Sequence, residues 1–153
     1  MKYNVKVFWE KRSAESFTDN KYSRVHKWTF DGGAEVMASS SPQVVSIPMS
    51  DAKAVDPEEA FVASLSSCHM LFFLSFAAAQ KYCIETYEDN AEGVMSKNEH
   101  GQMAMSIVTL KPIIIFSGNN VPSFDQVAAL HEQAHEKCYI ANSVKTEIKI
   151  IQG

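Results

Sequence analysis

The stretch that most constrains this chain is 56–81, DPEEAFVASLSSCHMLFFLSFAAAQK. It opens as a helix should: Asp56 stands at the N-cap, Pro57 at the first helical position, and Glu59 where a capping box places an acid. Phe61, Leu65, Cys68, Phe72 and Phe76 then recur at helical spacing, while Val62, Leu71, Phe73 and Leu74 leave the second half apolar on nearly every side. A helix without a broad polar face has to be buried. The apolar run 70–79 is short for a membrane span and is interrupted by Ser75, so the expectation is a long buried central helix, packed within the protein or against a second copy.

Around that helix the remaining sequence reads as strands. Tyr3, Val5, Val7 and Trp9 alternate with polar residues over 2–9, the period of a half-buried strand. Residues 21–30 are rich in β-formers, and Asp31-Gly32-Gly33 turns them into a short strand at 35–38. A long loop, 39–55, leads to the central helix. Beyond it, 85–96 and 103–116 flank Asn98-Glu99-His100-Gly101 as a second hairpin, whose sheet is expected to continue the first, with Pro112 limiting how centrally its second strand can sit. Ser123 and Gln126 form a second capping-box pattern, and Val127, Leu130, Ala134 and Cys138 share one face of the helix they open. Val144, Thr146, Ile148 and Ile150 close the chain as a strand. The order βββ, α, ββ, α, β gives an α+β fold of antiparallel sheets with two helices, rather than a doubly wound one.

At 153 residues the chain is expected to be a single domain, 1–153. Its formal charge of −4 and the lack of any basic cluster point away from nucleic acid. With no signal-peptide pattern, membrane span or low-complexity tract, the expected location is cytoplasmic, without a membrane partner. Three cysteines, Cys68, Cys83 and Cys138, are too few and too widely spaced for a secreted disulfide framework, which leaves thiol chemistry open.

Two constellations could carry chemistry. His131-Glu132-Gln133-Ala134-His135 fits H-E-x-x-H, in which two histidines bind zinc and the glutamate acts as base. No histidine follows His135 to supply a third ligand, so a zinc hydrolase is the weaker reading and ordinary helix histidines the plainer one. The second constellation is Cys68 with Cys138. A lone cysteine in an apolar helix is most often an inert core residue, but a peroxidatic thiol needs a resolving thiol within reach, because a sulfenic acid left unpaired oxidises irreversibly. Cys68 lies about 18 Å from the start of its helix, too far for the helix dipole to stabilise a thiolate, so a cation is required. Arg24, in a strand candidate, is preferred to Arg12 in a flexible connection. Glu58 is the natural carboxylate to hold that arginine, or else simply a first-turn acid. It precedes Cys68 by ten residues, about 15 Å along a straight helix, so either the helix breaks or Glu58 serves Cys68 of a partner chain. Cys83 reads as structural.

Asp56-Pro57-Glu58-Glu59-Ala60-Phe61 with Ser66-Ser67-Cys68, and Ala134-His135-Glu136-Lys137-Cys138 followed by Tyr139-Ile140-Ala141-Asn142-Ser143, resemble the OsmC/Ohr family of osmotically induced and organic hydroperoxide resistance proteins. The resemblance implies an intertwined homodimer of α+β subunits, acting as a thiol-dependent peroxidase without cofactor, metal or haem. It implies Cys68 as the peroxidatic and Cys138 as the resolving cysteine, Glu58 as the active-site glutamate and Arg24, by approximate spacing, as its arginine. It also implies a dithiol or lipoylated-protein reductant. His69, where the family commonly has an apolar residue, and Tyr139, where it has proline, mark an OsmC-like subgroup. His69 could tune the thiolate or face the partner. An apolar wall from Phe61, Leu65, Met70, Phe72 and Phe73 would favour organic hydroperoxides, with Phe61, Leu65, His69 and Phe72 as substrate-binding residues. A catalytically silent dimeric module binding a hydrophobic ligand is the alternative within the same fold.

Overall fold

The computed structural model describes all residues, Met1–Gly153, which divide into two compact units, Met1–Ala60 and Phe61–Gly153.

The first unit is built on one antiparallel sheet of order β1-β2-β3, formed by β1 (Val5–Phe8), β2 (His26–Phe30) and β3 (Glu35–Ala38). The turn between β2 and β3 is the expected one, with Gly33 at φ +89°, a conformation that favours glycine. β2 is shorter than the expected strand over 21–30. The backbone N–H of Arg24 donates to Met49 O (2.7 Å) in the long loop, so this end of the segment is tied to the loop instead of a strand ladder. The connection from β1 to β2 folds over its own aromatic residues: Phe17 stacks on Tyr22 at 4.6 Å, Trp9 lies 5.5 Å from Tyr22, and Trp9 Nε1 donates to Ser23 O (2.7 Å). The loop 39–55 returns to the sheet where Ala38 bridges Val55.

α1 (Pro57–Ala79) starts as the sequence requires. The Glu59 N–H donates to Asp56 Oδ1 (2.7 Å), and the Asp56 N–H donates to Glu59 Oε2 (3.2 Å), closing the capping box. The helix is unbroken over its 23 residues.

The second unit holds β4 (Cys83–Asp89), β5 (Glu92–Lys97), β6 (Met103–Leu110), β7 (Pro112–Ser117), α2 (Phe124–Lys137), a 3-10 turn (Ala141–Ser143) and β8 (Glu147–Ile150). The expected hairpin of two long strands is present, but each arm divides in two. β4 pairs with β7, while β5 and β6 form a separate sheet with β8, which joins β6 in parallel register. The division has a local cause. Lys111 N–H donates to Asp89 Oδ1 (2.6 Å), so a side chain takes the donor that a ladder would use, and Pro112, next in sequence, has no N–H to offer. The single continuing sheet expected from the sequence is therefore replaced by three separate ones, one of them partly parallel.

Two hydrophobic clusters fill this unit. Phe73 and Ala77 of α1 pack with Val127, Leu130 and Ala134 of α2, flanked by Tyr87, Ile114 and Phe116. Two to three turns earlier, Phe61, Val62 and Leu65 pack with Val108, Leu110, Ile148 and Ile150. Gly93 permits this second contact, since a Cβ there would lie 2.6 Å from both Met105 Sδ and Val62 Cγ2. Residues 65, 69, 73 and 77 form the stripe of α1 that the chain itself buries; Leu71, on another side, is 60% exposed. The long buried helix of the sequence reading is thus buried along one stripe in the single chain. By length and composition α1 could cross a membrane, yet that stripe is already filled by its own chain and carries an imidazole.

Candidate active site: a thiol pair beside a buried histidine pair

Two helices bring the candidate thiols together. Cys68 lies in the middle of α1, half-buried, on the turn that follows Leu65. Cys138 is the C-cap of α2, where its N–H donates to Ala134 O (2.9 Å), and it is 1% exposed. The Ala141 N–H, from the 3-10 turn, donates to Cys138 Sγ at 3.4 Å. The Cys68 side chain lies close enough to the same sulfur to raise its pKa, and both thiols are free.

Burial above all, and then the Cys68 side chain, push the Cys138 thiol up to about 11, against the opposing pull of the Ala141 N–H. Cys138 therefore holds its proton at neutral pH. The arrangement is asymmetric: one thiol is half open to small reagents, and a second, shielded and protonated, stands behind it. Such a pair can form a disulfide once the open sulfur has been oxidised.

Next to the thiols lies a pair the sequence did not foretell. His69 Nε2 and His131 Nδ1 share a hydrogen bond of 3.0 Å, with the two rings stacked at 5.3 Å and 14°. They are 1% and 3% exposed, and the Phe73 ring packs against His131 at 4.4 Å. Desolvation lowers both imidazoles to about 4; at His69 the neighbouring His131 and His135 add to the effect and Asp89 opposes it. Both rings are neutral at pH 7. His131 Nε2 is buried without a hydrogen-bond partner.

This pairing parts the two histidines of the zinc motif. His131 turns inward because Val127, Leu130, Ala134 and Cys138 occupy the same buried face, and its Nδ1 is engaged by His69; His135, beyond that face, is exposed. No group of three or more His, Cys, Asp or Glu side chains is arranged to hold a metal ion.

The expected substrate wall is divided by the helical period. Leu65 points into the cluster with Val108 and Leu110, Phe73 into the cluster with α2, and His69 into His131; all three lie on the inward stripe and line no open surface. Phe61 and Phe72 remain half-buried, and Phe72 meets Tyr139 edge-on at 5.1 Å. With Cys68 they follow one another at seven- and four-residue intervals, so the three share a face of α1. His69 thus neither lines a ligand surface nor faces outward. Its inward position follows from the four-residue spacing to Leu65 and Phe73, but a polar residue in that stripe gives no hint of its partner.

Arg24 and Glu58 belong to the first unit. The Arg24 guanidinium donates to Asn20 O (3.0 Å), Asn20 Oδ1 (2.8 Å) and Tyr22 O, and stacks over the Tyr22 ring at 3.7 Å. Its hydrogen bonds go to this short loop and none to Glu58, which is half-buried in the first turn of α1. Arg12 lies exposed in the β1–β2 connection, its N–H donating to Glu15. Cys83, expected to be structural, is exposed at the start of β4, because the strand's alternation turns Ile84 inward in its place.

Residues 50–152 match the family model described as OsmC-like protein, a span that holds Glu58, Cys68 and Cys138 but not Arg24. No match was found among curated proteins. Among solved structures, an OsmC-like protein of unknown function from Vibrio cholerae is similar at 50% identity and a TM-score of 0.99, over 100% of this chain and 99% of that one. An organic hydroperoxide resistance protein from Elizabethkingia anophelis shares the fold at 16% identity and a TM-score of 0.71, over 99% of this chain and 94% of that one. The organic hydroperoxide resistance protein OhrB of Bacillus subtilis does so at 16% identity and 0.64, over 100% and 98%.

Proposed function

Because the chain belongs to the OsmC-like protein family, we propose that it is a cysteine-based peroxidase that reduces organic hydroperoxides in the cytoplasm. The observation that carries this reading is the asymmetric thiol pair: Cys68, half open, against Cys138, buried and protonated. The names of two relatives of the same fold, organic hydroperoxide resistance proteins, point to the same substrate class.

The chemistry runs in two steps. The Cys68 thiolate attacks the distal oxygen of the hydroperoxide, the O–O bond breaks, and the alkoxide leaves as alcohol after taking up a proton. Cys138 then attacks the Cys68 sulfenic acid, the S–O bond breaks, and the Cys138 proton leaves with the hydroxyl as water, giving the Cys68–Cys138 disulfide. A dithiol or a lipoylated protein returns the pair to thiols. Phe61 and Phe72, on the face of Cys68, favour an alkyl group over bare hydrogen peroxide, since apolar burial gains roughly 25 cal/mol per Å².

Arg24 and Glu58 serve as the activating pair across a homodimer. α1 is continuous from Pro57 to Ala79, so the helix break that would let Glu58 fold back on its own Cys68 is lacking, and Glu58 acts on Cys68 of a second copy. In that assembly Arg24 exchanges contacts with Asn20 for the thiolate and Glu58.

The test is intact-mass analysis with peptide mapping after one equivalent of cumene hydroperoxide. Loss of two hydrogens, with Cys68 joined to Cys138, is expected. An unchanged mass with both thiols unreactive overturns the peroxidase and leaves a silent ligand-binding module.

A further inference from the structure

The histidine pair has no place in the two steps just described, yet it occupies the seam between the two hydrophobic clusters. His69 stands one turn after Leu65, which anchors one cluster, and one turn before Phe73, which anchors the other. Along the buried stripe Leu65, His69, Phe73, Ala77 it is the one polar residue. His131 sits between Leu130 and Ala134 in the buried face of α2.

Packing alone does not account for imidazoles here. A leucine would fill either place without leaving a buried nitrogen unsatisfied, as His131 Nε2 is, and an unpaired buried polar group is destabilising. What the pair adds is direction. Apolar side chains of two helices can slide past one another with little change in buried area, whereas a 3.0 Å bond between ring nitrogens is lost if α2 shifts along α1 by a single residue rise, about 1.5 Å.

The same two helices carry the thiols. Cys68 immediately precedes His69, and Cys138 follows His131 by seven residues, two turns along the same face. A register that holds the rings together therefore also holds Cys138 against Cys68.

We infer that His69 and His131 are positioning residues that fix the register of α2 on α1 and so set the effective concentration of the Cys138 thiol at Cys68. In the proposed peroxidase, on which this reading of their purpose rests, they decide the fate of oxidised Cys68. Capture by Cys138 gives the disulfide and water. Attack of the sulfenate on a second hydroperoxide gives the Cys68 sulfinic acid and a second alcohol, which is irreversible without a dedicated repair enzyme. The pair biases this branch toward the disulfide.

The experiment compares the full-length protein with His69→Leu and His131→Leu, and with His69→Gln, whose amide can occupy the place of Nε2. Equilibration in dithiothreitol redox buffers reads the effective concentration of Cys138 at Cys68 with no peroxide present, and rising equivalents of cumene hydroperoxide read the ratio of disulfide to sulfinic acid by mass. The leucine variants are expected to lower the effective concentration at least tenfold and to shift the product toward sulfinic acid, with His69→Gln recovering most of both. Thermal melting checks that each variant is folded. Should a leucine variant not fold, His69→Gln and His131→Asn are compared with variants that cannot share a hydrogen bond at the same place, His69→Met and His131→Val. Folded apolar variants with the wild-type effective concentration overturn the inference. A wild type that ignores hydroperoxide but equilibrates normally in the redox buffer overturns the peroxidase and leaves the positioning role to be judged by the buffer alone.

Discussion

The two units differ in what they bury. The second closes over phenylalanine, leucine and valine: Phe73, Leu65, Val108, Leu110 and Leu130 are each 1% exposed or less. The first hides mostly small and polar residues, Ala38, Ser23, Ser39, Ser50 and Asp56, while Val5, Val7 and Phe8 of β1 and Met37 of β3 lie exposed. Its order comes from hydrogen bonds, such as Asp51 N–H to Ser39 Oγ (3.0 Å) and Ser23 N–H to Glu15 Oε1 (2.9 Å). Directional bonds can shape a segment, but each adds only about 1 kcal/mol net. A unit held this way needs apolar cover from elsewhere, and the open side of α1 poses the same need. A second copy of the chain would answer both.

The contrast can be tested from its strongest point downward. Phe73→Ala removes the largest side chain buried in the second unit and is expected to cost about 3–5 kcal/mol, read by denaturant unfolding. A much smaller loss would mean that this core is not what holds the unit.

Acid attacks the same unit through its histidines. Their folded-state pKa values are lowered to about 4 from the ordinary 6.5, so the unfolded chain takes up protons first. Stability is full above about pH 6.5 and falls as the pH drops toward 4, by on the order of 3 kcal/mol for each imidazole. Unfolding curves across this range should show the slope in the wild type, and His69→Leu with His131→Leu should flatten it. An equal slope in both would place the acid sensitivity elsewhere.

Leu71→Asp sharpens the comparison at the open side of α1, where Leu71 is 60% exposed in the single chain. In a dimer that covers this side, the charge is expected to weaken association by about 2 kcal/mol or more, seen as dissociation in analytical ultracentrifugation. Retention of the wild-type assembly would move the interface off α1.

Val7→Ser is the smallest expected change. On a bare strand it alters stability by about 0.5 kcal/mol or less, because Val7 is 62% exposed. A larger loss that grows with dilution would show that β1 is covered in solution by another copy.

The legible parts of the sequence follow local rules. Both capping boxes, Asp56 with Glu59 and Ser123 with Gln126, appear as hydrogen bonds three residues apart. The inward face of α2 through Val127, Leu130, Ala134 and Cys138 follows from its period. β-propensity overestimates the strand over 21–30, because it says nothing about a loop carbonyl, Met49 O, that claims the backbone N–H of Arg24. The break in the long hairpin is invisible to local rules, because the carboxylate that interrupts it, Asp89, stands 22 residues from the N–H it captures.

The sequence by itself determined where both helices begin, which face α2 turns inward, and that a second cysteine lies near a helix end. It could do so because these features rest on contacts between residues three, four or seven apart. Tertiary structure alone decided that His69 meets His131, that Leu65 and Phe73 serve separate clusters, and that β8 lies parallel to β6. Each of these depends on how distant segments come to lie side by side: a bond spanning 62 residues is set by the packing of two whole helices, which no short window of sequence contains.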